Sequence, residues 1–148
     1  MKYTPLLSSF VLVLNCIIPL NAQSLSLNLN NSNLAFVLPE KDLLPESIAY
    51  DSKQGGFYVG STRKGKIVKI SNDGSISDFI TSEQSGLWMV IGLKIDAKRR
   101  ILWACSSGGD NLEGYNLKDD VEGRPAGVFK FNLDTGKLIK KYVRQIHD

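Results

Sequence analysis

Residues 47–61, SIAYDSKQGGFYVGS, are matched by a second stretch, residues 92–106, GLKIDAKRRILWACS. Each stretch is a short apolar run that ends in aspartate, followed by a polar turn and a second apolar run. The runs are enriched in β-branched and aromatic residues, which favour strands. Two such runs around a polar turn predict an antiparallel hairpin. The sequence therefore predicts the same hairpin twice.

A second hairpin follows each of these stretches. In the first unit, two apolar runs flank the turn at residues 72–74 (NDG), and in the second they flank residues 134–136 (DTG). Glycine supplies the positive φ that tight turns require, and Asn or Asp tolerates the neighbouring left-handed position. No sustained helical periodicity follows the N-terminal segment. We predict an all-β chain with two units of four short antiparallel strands.

The period of the repeat fits the blades of a β-propeller. Asp51 and Asp96 hold the same position in the two units and are 45 residues apart, within the roughly 40–50 residues of a propeller blade. This places blade 1 at about 46–80 and blade 2 at about 90–143. Extra residues rich in Gly, Asp and Asn predict a long loop at 108–125. A generic antiparallel meander is the alternative.

Composition and charge indicate a globular protein without a nucleic-acid surface. Of 148 residues, 43% are hydrophobic and 22% are charged, and the formal net charge is +3. The basic runs at 98–100 and 140–141 are short, and we expect them to be solvated turns or strand ends. No later stretch approaches the roughly 20 apolar residues of a membrane span. We expect no nucleic-acid partner and no transmembrane segment.

The N-terminus has the features of a signal peptide. Lys2 precedes an interrupted apolar run, and a small residue, Ala22, stands at its end. We predict a signal peptide over residues 1–22 with cleavage after Ala22, and therefore a secreted or periplasmic protein. A lipid anchor at Cys16 is the disfavoured alternative, because Asn15 stands where lipoprotein processing prefers a small residue.

Cysteine and histidine are too few for the common catalytic constellations. Cleavage would remove Cys16 and leave Cys105 as the only cysteine, so that no intrachain disulfide could form. Cys105 ends an apolar run, which predicts a buried, unreactive thiol. The sole histidine, His147, is the penultimate residue. We expect no Cys–His or Ser–His–Asp site within this chain.

Four motifs resemble one family of propellers. They are residues 44–51 (LPESIAYD), 57–61 (FYVGS), 86–88 (GLW) and 102–107 (LWACSS). The pattern is similar to that of the gluconolactonase, senescence-marker-protein and luciferin-regenerating-enzyme-like six-bladed propellers. NHL-repeat and strictosidine-synthase-like proteins are relatives in blade pattern. The resemblance spans about residues 34–143.

The resemblance implies a ring larger than two blades. Two units would be an N-terminal fragment of a six-bladed propeller, and missing blades or another chain would cover the open edge. Residues 23–45 would form an N-terminal extension before the partial propeller at 46–148. Within that extension, residues 34–38 are a candidate for a ring-closing strand.

The resemblance also implies where a site would lie. In a blade, the connections from the second to the third strand and from the last strand to the next blade emerge at one end, and such loops carry binding sites. Glu46 matches the glutamate that lactonases of the family use to bind a divalent cation, with calcium as the expected ion. Ser47 replaces the glycine that commonly follows, and the implied Asn and Asp ligands would belong to later blades. A surface glutamate without a ligand is the alternative.

Three further residues are candidates for substrate binding at the same end. Trp88 could stack on a ligand, and Asp110 and Asn111 lie in the long loop. The alternatives are core packing for Trp88 and a solvated acidic loop for Asp110 and Asn111. A calcium loop built from the acidic residues of 110–122 matches no defined spacing.

Two functions of different class follow from the resemblance. The first is metal-dependent hydrolysis of a sugar lactone or related ester, in which the cation polarises the carbonyl and activates water. The second is a non-catalytic propeller that binds a small molecule or a protein. In either case this chain is expected to be inactive alone.

Overall fold

In a computed structural model that describes residues 35–82, 84–116 and 125–144, the chain forms two four-stranded antiparallel sheets. Each sheet is a meander in which every strand pairs with the next in sequence. The all-β prediction is confirmed, and among the described residues the only helical element is the 3-10 turn Gln84–Gly86. The strands of the first sheet are β1 (Pro45–Tyr50), β2 (Phe57–Ser61), β3 (Ile67–Ile70) and β4 (Ile76–Ile80); those of the second are β5 (Met89–Asp96), β6 (Ile101–Ser107), β7 (Ala126–Asn132) and β8 (Leu138–Val143).

Parts of the sequence prediction lie outside the described residues. These are the signal peptide with its cleavage site at Ala22, the alternative anchor at Cys16, most of the N-terminal extension, residues 117–124 of the long loop and His147. No helix in the described part of the chain is both long and apolar enough to cross a membrane.

Both predicted glycine turns close hairpins. Gly74 has φ 82° in the β3–β4 turn, and Gly136 has φ 67° in the β7–β8 turn. The Asn132 side chain accepts hydrogen bonds from the backbone N–H groups of Asp134 and Thr135 at 3.0 and 2.9 Å. The local turn chemistry thus fixes the register of β7 with β8.

The two sheets share the same irregularity in their first strands. Pairing with the second strand shifts by one residue at Glu46 in β1 and at Ile91 in β5. These bulged residues are 45 positions apart, as are Asp51 and Asp96. A β-bulge turns a side chain out of the regular alternation. Both bulged residues are exposed.

A buried serine at the end of each second strand binds the segment that leads into the first strand. The Ser61 hydroxyl donates to the carbonyl of Leu43, and the Ser106 hydroxyl accepts the backbone N–H of Trp88 at 2.9 Å. Leu43 and Trp88 are again 45 residues apart. The repeat therefore extends to the buried hydrogen bonds, which cost free energy when left unmade.

The main core lies between the two sheets. β5 lies against β1 and β2, and apolar side chains from both sheets interdigitate behind them. Gly60 permits this approach, since a Cβ there would lie 2.5 Å from Cγ1 of Val90. The fully buried members are Tyr58, Ile67, Ile80, Val90, Leu102, Ala104, Phe129, Phe131 and Leu133.

A smaller core covers the other side of the first sheet. Residues 35–44 cross this side, where Phe36, Leu38 and Leu43 pack on strands β2 to β4. Lys66 fastens the segment, because its ammonium contacts Glu40 at 2.6 Å and Asp78 at 2.9 Å. The segment forms no strand in its described part, so the candidate ring-closing strand is irregular backbone here.

Two expectations for the second sheet are wrong. Cys105 is exposed rather than buried, because Leu102, Ala104 and Ser106 alternate toward the core and Cys105 points away from it. The run at 98–100 is solvated only in part. The Arg100 side chain is 12% exposed, because it pairs with two carboxylates.

Candidate functional site

Three segments meet at the end of the sheets where the candidate residues were expected. They are the β2–β3 turn at 62–65, the approach to β5 at 87–88 and the loop at 109–113. The backbone N–H of Glu113 donates to the carbonyl of Arg63 at 2.8 Å, and the Lys64 ammonium contacts the Glu113 carboxylate at 2.7 Å. These contacts hold the second sheet's long loop on the first sheet's turn. We call this region the loop end.

Gly65 lets the loop end close tightly. Its φ is 56°, and a Cβ at this position would lie 3.0 Å from Cδ1 of Leu112 and 3.3 Å from the carbonyl oxygen of Trp88. Glycine alone combines this backbone conformation with so little space. The β2–β3 turn, the β4–β5 connection and the long loop therefore converge on one residue.

Trp88 is partly buried at the loop end. Its ring meets Phe129 edge to face, with centroids 5.9 Å apart and planes at 82°. The Ser106 hydroxyl accepts a hydrogen bond from the backbone N–H of Trp88. The indole packs against the main core, so core packing accounts for its position, and only its exposed part is accessible to a ligand.

Asp110 and Asn111 are exposed in the long loop, directly before the residues that contact the first sheet. The loop is anchored before them too, since Gly109 is buried and a Cβ there would meet Cε of Met89 at 2.6 Å. Two anchored flanks hold this short polar stretch at the surface of the loop end.

Glu46 is exposed at the bulge of β1. Its counterpart in the second sheet is Ile91, which is 46% exposed and has no ligand atom. No ion pair joins Glu46 to another residue in the described part of the chain. The bulge therefore presents a carboxylate in the first sheet only.

The described residues do not form a metal site. Among them, no group of three or more His, Cys, Asp or Glu side chains lies close enough to hold a metal ion. Calcium takes six to eight oxygen ligands, and Glu46 alone supplies at most two. Further ligands would have to come from outside the ranges that the structure describes.

An ion-pair cluster at the opposite end of the sheets was not predicted. Arg100 contacts Asp51 at 2.8 Å and Asp134 at 2.7 Å, so it joins the first hairpins of both sheets to the last turn of the second. Burial raises the pKa of Asp51, but the hydrogen bonds from Arg100 and from the backbone of Lys53 outweigh it and hold that pKa below its ordinary value. The hydrogen bonds to Asp51 and Asp134 raise the pKa of Arg100. The repeated aspartate was visible in the sequence, but its cross-sheet partner was not.

A cavity of about 300 Å³ lies on the outer side of the first sheet, beneath residues 38–43. Lys66 is its buried cation, and Glu40 and Asp78 neutralise it. None of the four candidate site residues lines this cavity. The cation of this cavity is thus already paired within the chain, with one carboxylate in excess.

Comparisons of the chain with protein-family models, with curated proteins and with solved structures found no match.

Proposed function

We propose that the two sheets are neighbouring blades of a β-propeller and that the loop end binds a small polar molecule. The repeat supports the blade assignment, since the first strands lie against each other and share a bulge. The two sheets also repeat the buried serine of the second strand and the aspartate at the end of the first. Neighbouring propeller blades pack face to face with their first strands toward the axis.

The observation that carries the ligand-binding proposal is the joining of the long loop to the neighbouring turn. The contacts of Glu113 with Arg63 and Lys64 order loop residues that would otherwise face solvent unsupported. A loop fixed in this way loses little conformational entropy when a ligand binds. Asp110 and Asn111 bring carboxylate and amide groups to the loop end that Trp88 also reaches, a combination that suits a polyhydroxylated ligand such as a sugar or a sugar lactone.

A second candidate is metal-dependent lactone hydrolysis, and the bulge at Glu46 supports it. The bulge presents a single carboxylate where the resembled lactonases bind calcium. Asn and Asp ligands from further blades would complete the ion's oxygen shell. When bound, such a cation would polarise the lactone carbonyl. Within this chain, the role of Glu46 would be to contribute one charged oxygen ligand.

We further propose that the chain is exported and cleaved after Ala22. Within residues 1–22, a basic residue is followed by an apolar run and then by a small residue, which is the order found in signal peptides. N-terminal sequencing of protein recovered from the medium or periplasm should start at Gln23. Recovery of uncleaved protein from the cytoplasm would contradict it.

Thermal unfolding with and without glucono-δ-lactone or gluconate tests the binding function. A ligand that binds only the folded state raises the melting temperature by mass action. Asn111→Ala should abolish the rise, while Ser52→Ala, an exposed change at the opposite end, should preserve it. An equal rise in both variants would place the ligand elsewhere, and no rise with any lactone, aldonate or free sugar would refute the binding proposal.

Calorimetric titration with calcium separates the two candidates. In a protein that carries the further blades as well as this chain, the hydrolase predicts calcium binding that Glu46→Gln weakens at least about tenfold, or about 1.4 kcal/mol, because the ion loses a charged oxygen ligand. Glu113→Gln, a matched change in the same region, should leave calcium affinity unchanged. Lactone binding without any calcium binding would refute the metal-dependent hydrolase and favour the non-catalytic binding function.

A further inference from the structure

Among the described residues, no strand or loop packs on the outward face of the second sheet, which carries apolar side chains as well as lysines. On this face, which we call the outer face, lie Trp103, Cys105, Val128 and Tyr142. Cys105 is exposed, and Val128 and Tyr142 are 36% and 48% exposed. Single exposed apolar residues are ordinary, but a contiguous set on one sheet face marks an interaction surface.

The first sheet has the same face, and there it is buried. The strand pairings equate Tyr58 with Trp103, Ile67 with Val128, and Ile80 with Tyr142. Tyr58 is 1% exposed and Ile67 and Ile80 are fully buried, because the second sheet covers them.

Even the cation above the aromatic ring is repeated. Lys69 lies 5.9 Å from the ring centroid of Tyr58, and Lys130 lies 5.3 Å from that of Trp103. The apolar positions and this cation thus repeat a surface that is covered by a sheet elsewhere in the same chain. The differences are Cys105 in place of Gly60 and two lysines, Lys94 and Lys140, in place of Ala49 and Ser77.

An aspartate at the edge of the face is also repeated, and it too has an inter-sheet partner only in the first sheet. Asp51 caps the turn after β1, accepts Arg100 from the neighbouring sheet and is 1% exposed. Asp96 caps the equivalent turn after β5, but its charged partner is Arg99 of the same turn, and its side chain is 26% exposed. Asp96 therefore holds the position of an inter-sheet acceptor and lacks the inter-sheet arginine.

We propose that the outer face docks a further four-stranded antiparallel sheet that carries an arginine in its first hairpin, and that this arginine pairs with Asp96. The proposal deepens the blade assignment and rests on it. It continues the interface already present between the two sheets, with the same apolar rows and the same aspartate at the edge.

One position of the docked sheet is constrained further. Gly60 gives Val90 room to cross β2, whereas its counterpart on the outer face is Cys105, which has a side chain. The docked strand therefore needs a small residue where the second sheet has Val90.

A second copy of this chain fits the face less well. In the first sheet, the position equivalent to Arg100 is Gly55, which cannot reach Asp96. Residues 36–43 also cover much of the face that the copy would have to present. The missing arginine and the covered face of the first sheet both favour a docked sheet that resembles the second sheet of this chain.

The second sheet itself supplies the probe. A tandem chain with residues 81–143 repeated after Val143, and with Val90→Gly in the repeat, offers the outer face a sheet that carries Arg100. Cys16→Ser is present in both versions of the tandem chain, so that each version has a single cysteine. In one version Cys105 is kept in the original sheet and replaced by serine in the repeat. In the matched control Cys105 is kept in the repeat and replaced by serine in the original sheet. Thiol labelling with a soluble disulfide reagent then reports on each face separately.

The original Cys105 should react at least about tenfold more slowly than the Cys105 of the repeat, because its labelling requires the interface to open. Arg100→Gln in the repeat should remove most of this protection, and Arg99→Gln in the repeat should not. Equal rates for the two cysteines, both with Val90→Gly and with Val90→Ala in the repeat, would overturn the proposal. So would slower labelling of the single chain at higher protein concentration, which would assign the face to a second copy.

The thiol readout involves no ligand and no metal. Glu46→Gln and Asn111→Ala should leave both labelling rates unchanged. Failure of the lactone experiment together with a protected Cys105 would therefore refute the ligand proposal and leave the docking surface standing.

Discussion

Arg100 of the second sheet donates a hydrogen bond to the carboxylate of Asp51 in the first sheet, over 2.8 Å. Both side chains are largely buried, at 12% and 1% exposure. The same guanidinium contacts Asp134 at 2.7 Å, so one cation bridges two carboxylates from different sheets. The pairing fixes how the two first hairpins lie against each other, and four predictions follow from it and its surroundings.

Arg100→Gln should destabilise the fold by about 3 kcal/mol, because it leaves the buried Asp51 carboxylate without its charged partner. Urea unfolding followed by tryptophan fluorescence measures the loss. Arg99→Gln is the matched control: its side chain is 73% exposed and pairs within one turn, so a change within about 0.5 kcal/mol is expected. Equal losses in the two variants would show that the inter-sheet pairing contributes nothing.

The contribution of Asp51 should depend on pH in the acid range. Burial raises its pKa, but hydrogen bonds from Arg100 and Lys53 lower it below the ordinary 3.8. A carboxyl with a lowered pKa in the folded state stabilises the fold above the pKa of the unfolded chain and loses that effect as the pH falls through the folded value. The difference in unfolding free energy between the native chain and Asp51→Asn should be largest at neutral pH and shrink below pH 3.8. A difference that stays constant from pH 7 to pH 2 would contradict this assignment.

Gly60→Ala should cost about 1–3 kcal/mol, because the added methyl group overpacks the contact between the sheets. Its Cβ would lie 2.5 Å from both Ser47 Oγ and Val90 Cγ1. Gly92→Ala is the control, since its nearest neighbour would be Cβ of Cys105 at 3.5 Å, and it should be neutral or slightly stabilising. Val90→Ala should cost less in the Gly60→Ala background than in the native chain, and a double-mutant cycle measures this coupling.

Lys66→Met should release residues 35–44 from the first sheet. The hydrogen bonds of Lys66 with Glu40 and Asp78 outweigh the effect of burial and raise its pKa, so the ammonium stays charged and holds both carboxylates. Without it, two neighbouring carboxylates repel each other, and trypsin should cleave after Lys41 several times faster by mass spectrometry. Lys64→Met removes a lysine from the neighbouring turn and should leave that rate unchanged. Unaltered cleavage in Lys66→Met would mean that Phe36, Leu38 and Leu43 hold the segment by themselves.

Local patterns in the sequence predict most of the fold. The apolar runs, the aspartate at the end of each first strand and the glycine turns at 72–74 and 134–136 depend on backbone preferences of a few neighbouring residues. They place all eight strands within a few residues of their observed bounds. The bulges at Glu46 and Ile91 were not predicted, because a bulge depends on pairing with a second strand rather than on the strand's own pattern.

The candidate site was predicted less completely. The sequence singled out Glu46, Trp88, Asp110 and Asn111, and the structure places the last three in segments that reach the loop end. The contact of Lys64 with Glu113 was not foreseen, because the two residues are 49 positions apart and neither belongs to a motif. The Trp88 ring packs on Phe129, which is likewise distant in the sequence, 41 positions farther along the chain.

What the sequence by itself determined is the unit: four short strands, the turns between them and their repetition. Hydrogen bonding between adjacent strands and the alternation of side chains follow from local order along the chain. Only the tertiary structure decided which face of each sheet is covered. Cys105 is exposed and Tyr58 is buried although both lie in apolar runs, and Arg100 is buried although it lies in a basic one. Burial is set by what packs on a face, and that is a property of distant residues brought together in space.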